Sequence, residues 1–474
     1  MRRSLLWFKH DLRLDDHPAL HAAARAERML PVFVLDPKLL QPGPLGARRL
    51  GVHRARFLLE SLLALDGALR ARGSHLLVVQ GQPEHILPLL AERLAIDEVV
   101  THEEIAPEAR EELARVRDRL GSTALVEVAG HGLLQAGELP CAVEQLPAVY
   151  RDFCTLMEER LVVVQPLAAP ERLPAIPEAA NELLMPPPTL SHLGLGEPIY
   201  IADSAFPFSG GEVAGQARLR DYLWESQGVR QYAAVRDSLI GTEFSSKLSP
   251  WLANGCLSVR RVVADLRRHE AQHGRNESTQ ELWRAVLWRE FFRWTLVRRG
   301  EALFQAGGLK ATQQAPTAVD ERFVQWTQGR TGMPLVDACM RELAATGFIS
   351  KRGRQVVASY LVNELRQDWR HGAAWFEEHL LDYEAASNWG NWAYLTGIAC
   401  DPVRSQALNP LLQARRFDPQ ATYVSLWLSE LRALPVNMRH TPFVLSHLQL
   451  NALNYPRLEH VPESWQPYLP GVAA

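Results

Sequence analysis

Residues 76–101 read LLVVQGQPEHILPLLAERLAIDEVVT: a run Leu76–Val79, an amphipathic stretch over 84–95, and a second run Glu98–Thr101. Two short runs rich in branched residues, with a helical pattern between them, spell a parallel βαβ unit, because parallel strands need a crossover and an amphipathic helix supplies one. The alternation continues in both directions. Leu5–Phe8, Leu30–Leu35 and Ala124–Val128 are further strand candidates, and helical patterns lie near 53–72 and 107–120. The fold class that follows for this part is α/β, a doubly wound parallel sheet. No GxGxxG follows the first strand, so an ordinary dinucleotide site is not expected there, although the carboxyl ends of such strands favour some ligand.

At 474 residues the chain exceeds the limit of about 250–300 at which one core stops growing, so two domains are expected. From Gln165 to about Phe208 it is rich in proline, including Pro186-Pro187-Pro188, which marks a linker running over the surface. After Gly210-Gly211 the pattern turns helical, and from Glu212 to about Leu434 Leu, Ala, Arg and Trp recur at 3.6 spacing, predicting an all-α second domain. The expected bounds are 1–130 for the α/β domain, 131–211 for the linker, 212–440 for the helical domain and 441–474 for an irregular extension. Charge is balanced, 51 Lys and Arg against 54 Asp and Glu, which excludes a protein that binds polyanions over its whole surface but allows one basic face. The five cysteines, Cys141, Cys154, Cys256, Cys339 and Cys400, are scattered and form no CxxC, so neither a disulfide framework nor a metal site is expected and reduced cytoplasm is the expected home. The first apolar run is too short for a signal peptide and no stretch is long enough to span a bilayer; a soluble monomer is expected.

Twelve of the thirteen tryptophans lie from Trp224 onward. In Asn388-Trp389-Gly390-Asn391-Trp392, helical spacing places Asn388 and Trp392 on one face. A polar amide beside an indole suits electron transfer to a buried redox cofactor, and it suits core packing too; the pair alone leaves both readings open. Segment 242–256, TEFSSKLSPWLANGC, sets three serines and a lysine before a helix begun near Pro250. Amides, hydroxyls and one ammonium there could hold a pyrophosphate or form only a cap.

This segment, the helix LWREFFRW at 287–294, the run GMPLVDACMRELAATGFISKRGRQVVAS at 332–359 and LDYEAASNWGNWAYLTG at 381–397 together resemble the photolyase/cryptochrome family. Leu6-Trp7-Phe8-Lys9-His10-Asp11-Leu12-Arg13 is similar to the family's opening motif, with Lys9 where an arginine is usual. Within the family, RGRQ at 352–355 and SNWGNW at 387–392 are most similar to DASH cryptochromes. The resemblance implies a U-shaped FAD in the helical domain, excited by blue light and reduced through a tryptophan relay. By motif, Tyr232, Ser245, Ser246, Lys247, Leu248, Ser249 and Arg289 would hold the phosphates and ribityl chain. Arg354 would pair with Asp382 across the isoalloxazine, Glu384 would lie near the adenosine side, and Asn388 would face flavin N5. Trp392 and Trp369 match the inner and middle relay tryptophans, whereas the outer position falls near Pro316 and no Trp occurs between Trp294 and Trp326. Trp389, Trp375 and Tyr360 are the candidate replacements. Glu104 resembles the carboxylate that holds a folate antenna, methenyltetrahydrofolate, in DASH relatives.

On the DNA face the family's glutamate and asparagine are replaced by Ala285 and Lys351, while Trp288 and Tyr394 remain as apolar walls and Gln355 matches the DASH pattern. Stacking on such walls contributes roughly 1–3 kcal/mol per base, and a lost charged hydrogen bond removes a comparable ~1.5–3 kcal/mol. Arg236, Arg284, Arg293, Lys351, Arg352, Arg415 and Arg416, with Gln413, are the basic and polar residues expected to meet DNA, single strands above duplex. Two functions are implied: a blue-light photoreceptor with a protein signalling partner, and a photolyase that repairs cyclobutane pyrimidine dimers. A third reading, a nucleotidyl-transferring α/β enzyme, lacks an adenylylation motif at the first strand.

Overall fold

The computed structural model describes residues 2–161, 165–198, 206–310, 318–399 and 407–469. Its first third follows the order β1 (Arg3–Phe8), α1 (Pro18–Ala23), β2 (Arg28–Leu35), α2 (Val52–Arg70), β3 (Leu77–Gln80), α3 (Pro83–Leu94), β4 (Glu98–His102), α4 (Pro107–Arg119) and β5 (Ala124–Val128). All pairings are parallel, in the order β3-β2-β1-β4-β5. Pro31, which has no N–H to donate, is tolerated in β2 because β3 pairs only from Val32 onward. Leu6, Phe8, Phe33 and Leu35 face the main core, and Leu5, Trp7, Val32 and Val34 face a second cluster with Leu87 and Leu90 of α3. Both faces of the sheet are therefore covered, as a parallel sheet requires.

Inside the expected linker, α5 (Tyr150–Arg160) packs against the long helix α10 of the second domain. That domain comprises α6 (Glu212–Arg220), α7 (Tyr232–Val235), α8 (Ser249–Ala253), α9 (Val259–His273), α10 (Glu277–Arg299), α11 (Glu321–Thr327), α12 (Pro334–Thr346), α13 (Lys351–Asn363), α14 (Trp369–His379), α15 (Ala385–Leu395), α16 (Pro410–Phe417), α17 (Thr422–Trp427) and α18 (His447–Ala452). The last stretch is anchored on this domain by Tyr455, whose Oη donates to Asp337 Oδ2 at 2.5 Å, and by the buried Trp465.

Strand order reverses between β1 and β4, so the crevice expected to favour a ligand lies at their carboxyl ends. The chain's own side chains occupy it. Lys9 Nζ bridges Glu104 at 3.4 Å and Glu112 at 2.9 Å. Asp11 Oδ2 meets His102 Nδ1 at 2.6 Å and His17 Nε2 at 3.1 Å. Among the described residues the side chains of Asp11, His17 and His102 have the spacing of a metal site, an arrangement the sequence did not announce because Asp11 lies in the loop after β1 and His102 at the end of β4. His17 Nδ1, however, accepts the Leu20 N–H at 2.9 Å, which leaves the ring proton on Nε2 facing the carboxylate. The group is a hub of one hydrogen bond, His102 to Asp11, with His17 Nε2 close to the same carboxylate.

The loop carrying that hub joins the domains. Arg13 Nη1 donates to the Gly255 carbonyl, Arg261 binds Asp15 through both carboxylate oxygens at 2.7 and 2.8 Å, and Ser258 hydrogen-bonds Asp16. The opening motif thus fixes a joint and, through Lys9, engages the antenna candidate Glu104. Burial and the neighbouring His102 push His17 down to about 4. With a folded pKa below the unfolded value of about 6.5, the unfolded chain binds more protons between these limits, so stability is lost as pH falls from roughly 6.5 to 4. His17→Asn, which can still accept the Leu20 N–H, is expected to flatten the decline of Tm across that window, read by differential scanning fluorimetry.

Candidate functional site

Helices α10 and α12 to α15 bring the expected cofactor residues together. Arg354 is aimed by the Ile349 carbonyl, which accepts from Nε at 3.1 Å, and its Nη2 meets Asp382 Oδ2 at 2.9 Å. The predicted pair therefore forms. Arg289 Nη2 donates to Glu384 Oε1 at 2.7 Å, and Ser387 Oγ donates to the other Glu384 oxygen at 2.7 Å. Asn388 is buried; its Nδ2 donates to the Ala373 carbonyl at 3.0 Å, leaving Oδ1 to accept.

In the serine-rich segment, α8 spans five residues and no side chain caps it. The Ser245 and Ser246 carbonyls turn towards the Arg218 guanidinium at 3.3 and 3.0 Å. In trans peptides the amides of Ser246 and Lys247 point the opposite way, and this turn is possible because Lys247 adopts φ +60. The Lys247 ammonium does not reach outward. It is buried 3.3 Å above the Phe244 ring, and burial pulls it down to about 7, while burial pushes the nearby Glu342 carboxyl up to about 7. Glu342 accepts from Tyr423 Oη at 2.5 Å. Tyr232 is half-buried, Leu248 is buried and Ser249 opens α8 beside this turn.

Trp392 and Trp369 are each 2% exposed, and the edge of Trp392 lies against Gly372, one turn from Trp369 on α14. Trp369 and Trp389 are edge to face, with centroids 5.5 Å apart. Of the other replacements expected for the outer indole, Trp375 stacks on His379 at 4.1 Å and Tyr360 lies 6.5 Å from Trp465; neither contact extends the pair. The position near Pro316 lies outside the described residues.

Comparison with known proteins bears on the family. The model "FAD binding domain of DNA photolyase" matches residues 282–461, and the model "DNA photolyase" matches residues 4–175. Cryptochrome DASH of Gloeobacter violaceus is 40% identical over 448 residues, covering 93% of this chain and 88% of the relative. The chain belongs to the photolyase/cryptochrome family, among the DASH-type cryptochromes. Cryptochrome DASH of Danio rerio is 37% identical, covering 95% of this chain and 87% of that one. The solved Synechocystis sp. cryptochrome superposes with a TM-score of 0.90 at 36% identity over 96% of each chain. A bacterial class III photolyase from Agrobacterium tumefaciens gives 0.82 at 26% identity, over 98% of this chain and 95% of that one.

The residues present fit the FAD of this cryptochrome family. Asp382 Oδ1, Arg289 Nη1 and Glu290 Oε2 are buried with no hydrogen-bond partner among the described residues, which is costly unless a polar group meets them. Glu290 is fully buried and was not singled out from the sequence, since one acid on a mostly apolar face of α10 gives no periodic signal.

The residues expected to meet DNA fall into two groups, an aromatic pair with two glutamines and a set of basic side chains. Trp288 and Tyr394 form an edge-to-face wall at 5.1 Å, with Trp288 Nε1 held by Asn391 Oδ1 at 3.0 Å. Gln355 Oε1 and Gln413 Oε1 are buried acceptors without partners among the described residues. The basic residues are mostly engaged. Arg236 and Arg284 both pair with Glu281, Arg352 meets Asp237 at 3.0 Å, Arg415 donates to the Tyr468 carbonyl, and Arg293 is buried. Lys351 and Arg416 are exposed. Ala285 is exposed one turn after Glu281, whose carboxylate is neutralised by Arg236 and Arg284. Among the described residues no helix is long and apolar enough to cross a membrane.

Proposed function

We propose that this chain is an FAD-containing blue-light photoreceptor, photoreduced through tryptophans, that retains affinity for single-stranded DNA and has little dimer repair. The observation that carries the first part is the contact of Trp369 with Trp389 in the same helical domain as Trp392 and the Arg354–Asp382 pair. The bound flavin supplies a light-activated one-electron acceptor. Arg354 and Asp382 would clamp its ring, Arg289 and Glu384 would hold the phosphate and adenosine side, and the inverted serine turn would present amides to the pyrophosphate. Asn388 Oδ1 would accept a hydrogen bond at N5, and a neutral amide does not readily give up a proton. Weak repair is read from the exposed Ala285 and the neutralised Glu281. The photoreceptor reading further takes the chain to be a cytoplasmic monomer with a protein signalling partner; free Cys141, Cys154, Cys256 and Cys339 are in keeping with its reducing compartment alone. A folate antenna enters this proposal only at Glu104, which would have to exchange the Lys9 ammonium for the pterin.

The Trp288–Tyr394 wall and the two unpartnered glutamine oxygens favour a second reading, dimer repair in single-stranded DNA. Illuminating the reduced protein with dimer-containing single- and double-stranded oligonucleotides separates the two. The photoreceptor reading expects salt-sensitive single-strand binding and no restored thymines; catalytic thymine recovery in single strands establishes the repair reading instead.

A further inference from the structure

From Trp389 the aromatic contacts continue beyond the expected relay. Its Nε1–H donates to Tyr383 Oη at 3.4 Å, and the Glu377 carboxylate stands beside that phenol. Tyr383 is half-buried at the joint between α2 and α14, with the Arg54 guanidinium 4.8 Å above its ring. Glu377 in turn faces Arg49 and Arg54. Exposure of the residues rises along the path, from Trp392 and Trp369 at 2% through Trp389 at 6% to the half-buried Tyr383. The other aromatic branch from Trp392 passes through Phe376 to Trp326, which is fully buried, and a phenyl ring is far harder to oxidise than an indole.

Resting on the photoreduction reading above, we propose that Tyr383, with Glu377 as proton acceptor, is the terminal electron donor of the relay, replacing the missing outer tryptophan. Once Trp392 had given one electron to the acceptor that bound FAD would supply, the vacancy would pass to Trp369 and then Trp389. Tyr383 returns one electron to Trp389, its O–H bond breaks, and the proton moves to a Glu377 carboxylate oxygen. The products are a restored indole, a neutral tyrosyl radical and a protonated Glu377, so charge and atoms balance within the chain. Releasing the proton to a carboxylate blocks fast return of the electron, because the reverse step must take the proton back.

The test has two arms. In FAD-loaded protein frozen after a flash, paramagnetic resonance is expected to show a neutral tyrosyl radical, absent in Tyr383→Phe and retained in the control Tyr360→Phe. Glu377→Gln should slow its formation about tenfold, a barrier rise of about 1.4 kcal/mol, and diminish the rate difference between light and heavy water. In flavin-free protein, azidyl radicals generated by a radiolysis pulse oxidise tryptophans, and Tyr383→Phe should remove the fast transfer from indole to phenol. Unchanged Tm verifies that each variant is folded. A tyrosyl radical of undiminished yield in Tyr383→Phe, or an unchanged transfer phase in the flavin-free arm, overturns the proposal. Photoreduction at an undiminished rate in Trp392→Phe overturns the relay reading itself, and the flavin-free arm then decides Tyr383 separately.

Discussion

Trp392→Phe is expected to slow photoreduction of the FAD-loaded protein by about two orders of magnitude, equivalent to about 2.7 kcal/mol of barrier. The edge of Trp392 lies against Gly372 and its ring is 5.1 Å from Phe376, so phenylalanine keeps the packing while removing an oxidisable indole. The vacancy must then cross from the flavin to Trp369 in one longer jump. Trp326→Phe is the control. Trp326 is as buried as Trp392, donates to the Val357 carbonyl and stacks on Phe376 with centroids 6.4 Å apart, so it matches Trp392 as a packing element. Time-resolved absorption should show little change for Trp326→Phe; equal slowing by the two substitutions would mean that loss of packing explains both.

The second large effect is on stability. Gly255→Ala is expected to cost about 4–5 kcal/mol, at the top of the range for single substitutions, and to lower Tm by roughly 10 °C. A Cβ there would lie 1.9 Å from the His10 carbonyl oxygen and 2.4 Å from Asp11 Cα, and backbone atoms cannot rotate away. The position also has φ +67, and its carbonyl accepts from Arg13 across the domain joint. Gly121→Ala isolates the conformational part. Its φ is +61 with nothing within 4 Å of the added carbon, so its cost should be only ~1–2 kcal/mol. Calorimetry of both variants separates left-handed strain from collision, and similar losses would refute the close approach at the joint.

The α/β class was legible because short branched runs with amphipathic stretches between them admit few packings; the five strand candidates lie within two residues of the strands formed. Arg354 and Asp382, far enough apart to be invisible to periodicity, were reached through motif resemblance and do pair. Charge was less legible. Arg236, Arg284 and Arg352 read as a DNA-binding cluster, yet each has a carboxylate partner, Glu281 for the first two and Asp237 for the third. Lys247 read as a phosphate ligand, but its side chain folds back over Phe244 while the backbone turns its amides outward.

The sequence by itself determined two domains, a parallel sheet, a helical unit rich in indoles and membership of a flavoprotein family, because periodicity and motif spacing are local and survive without coordinates. Only the tertiary structure decided that Lys9 and the Asp11–His17–His102 hub fill the sheet's crevice, that Glu281 neutralises two arginines, and that Tyr383 meets Trp389. Such contacts depend on ångström distances between side chains remote in sequence or turned by a particular backbone angle, and no local pattern encodes those distances.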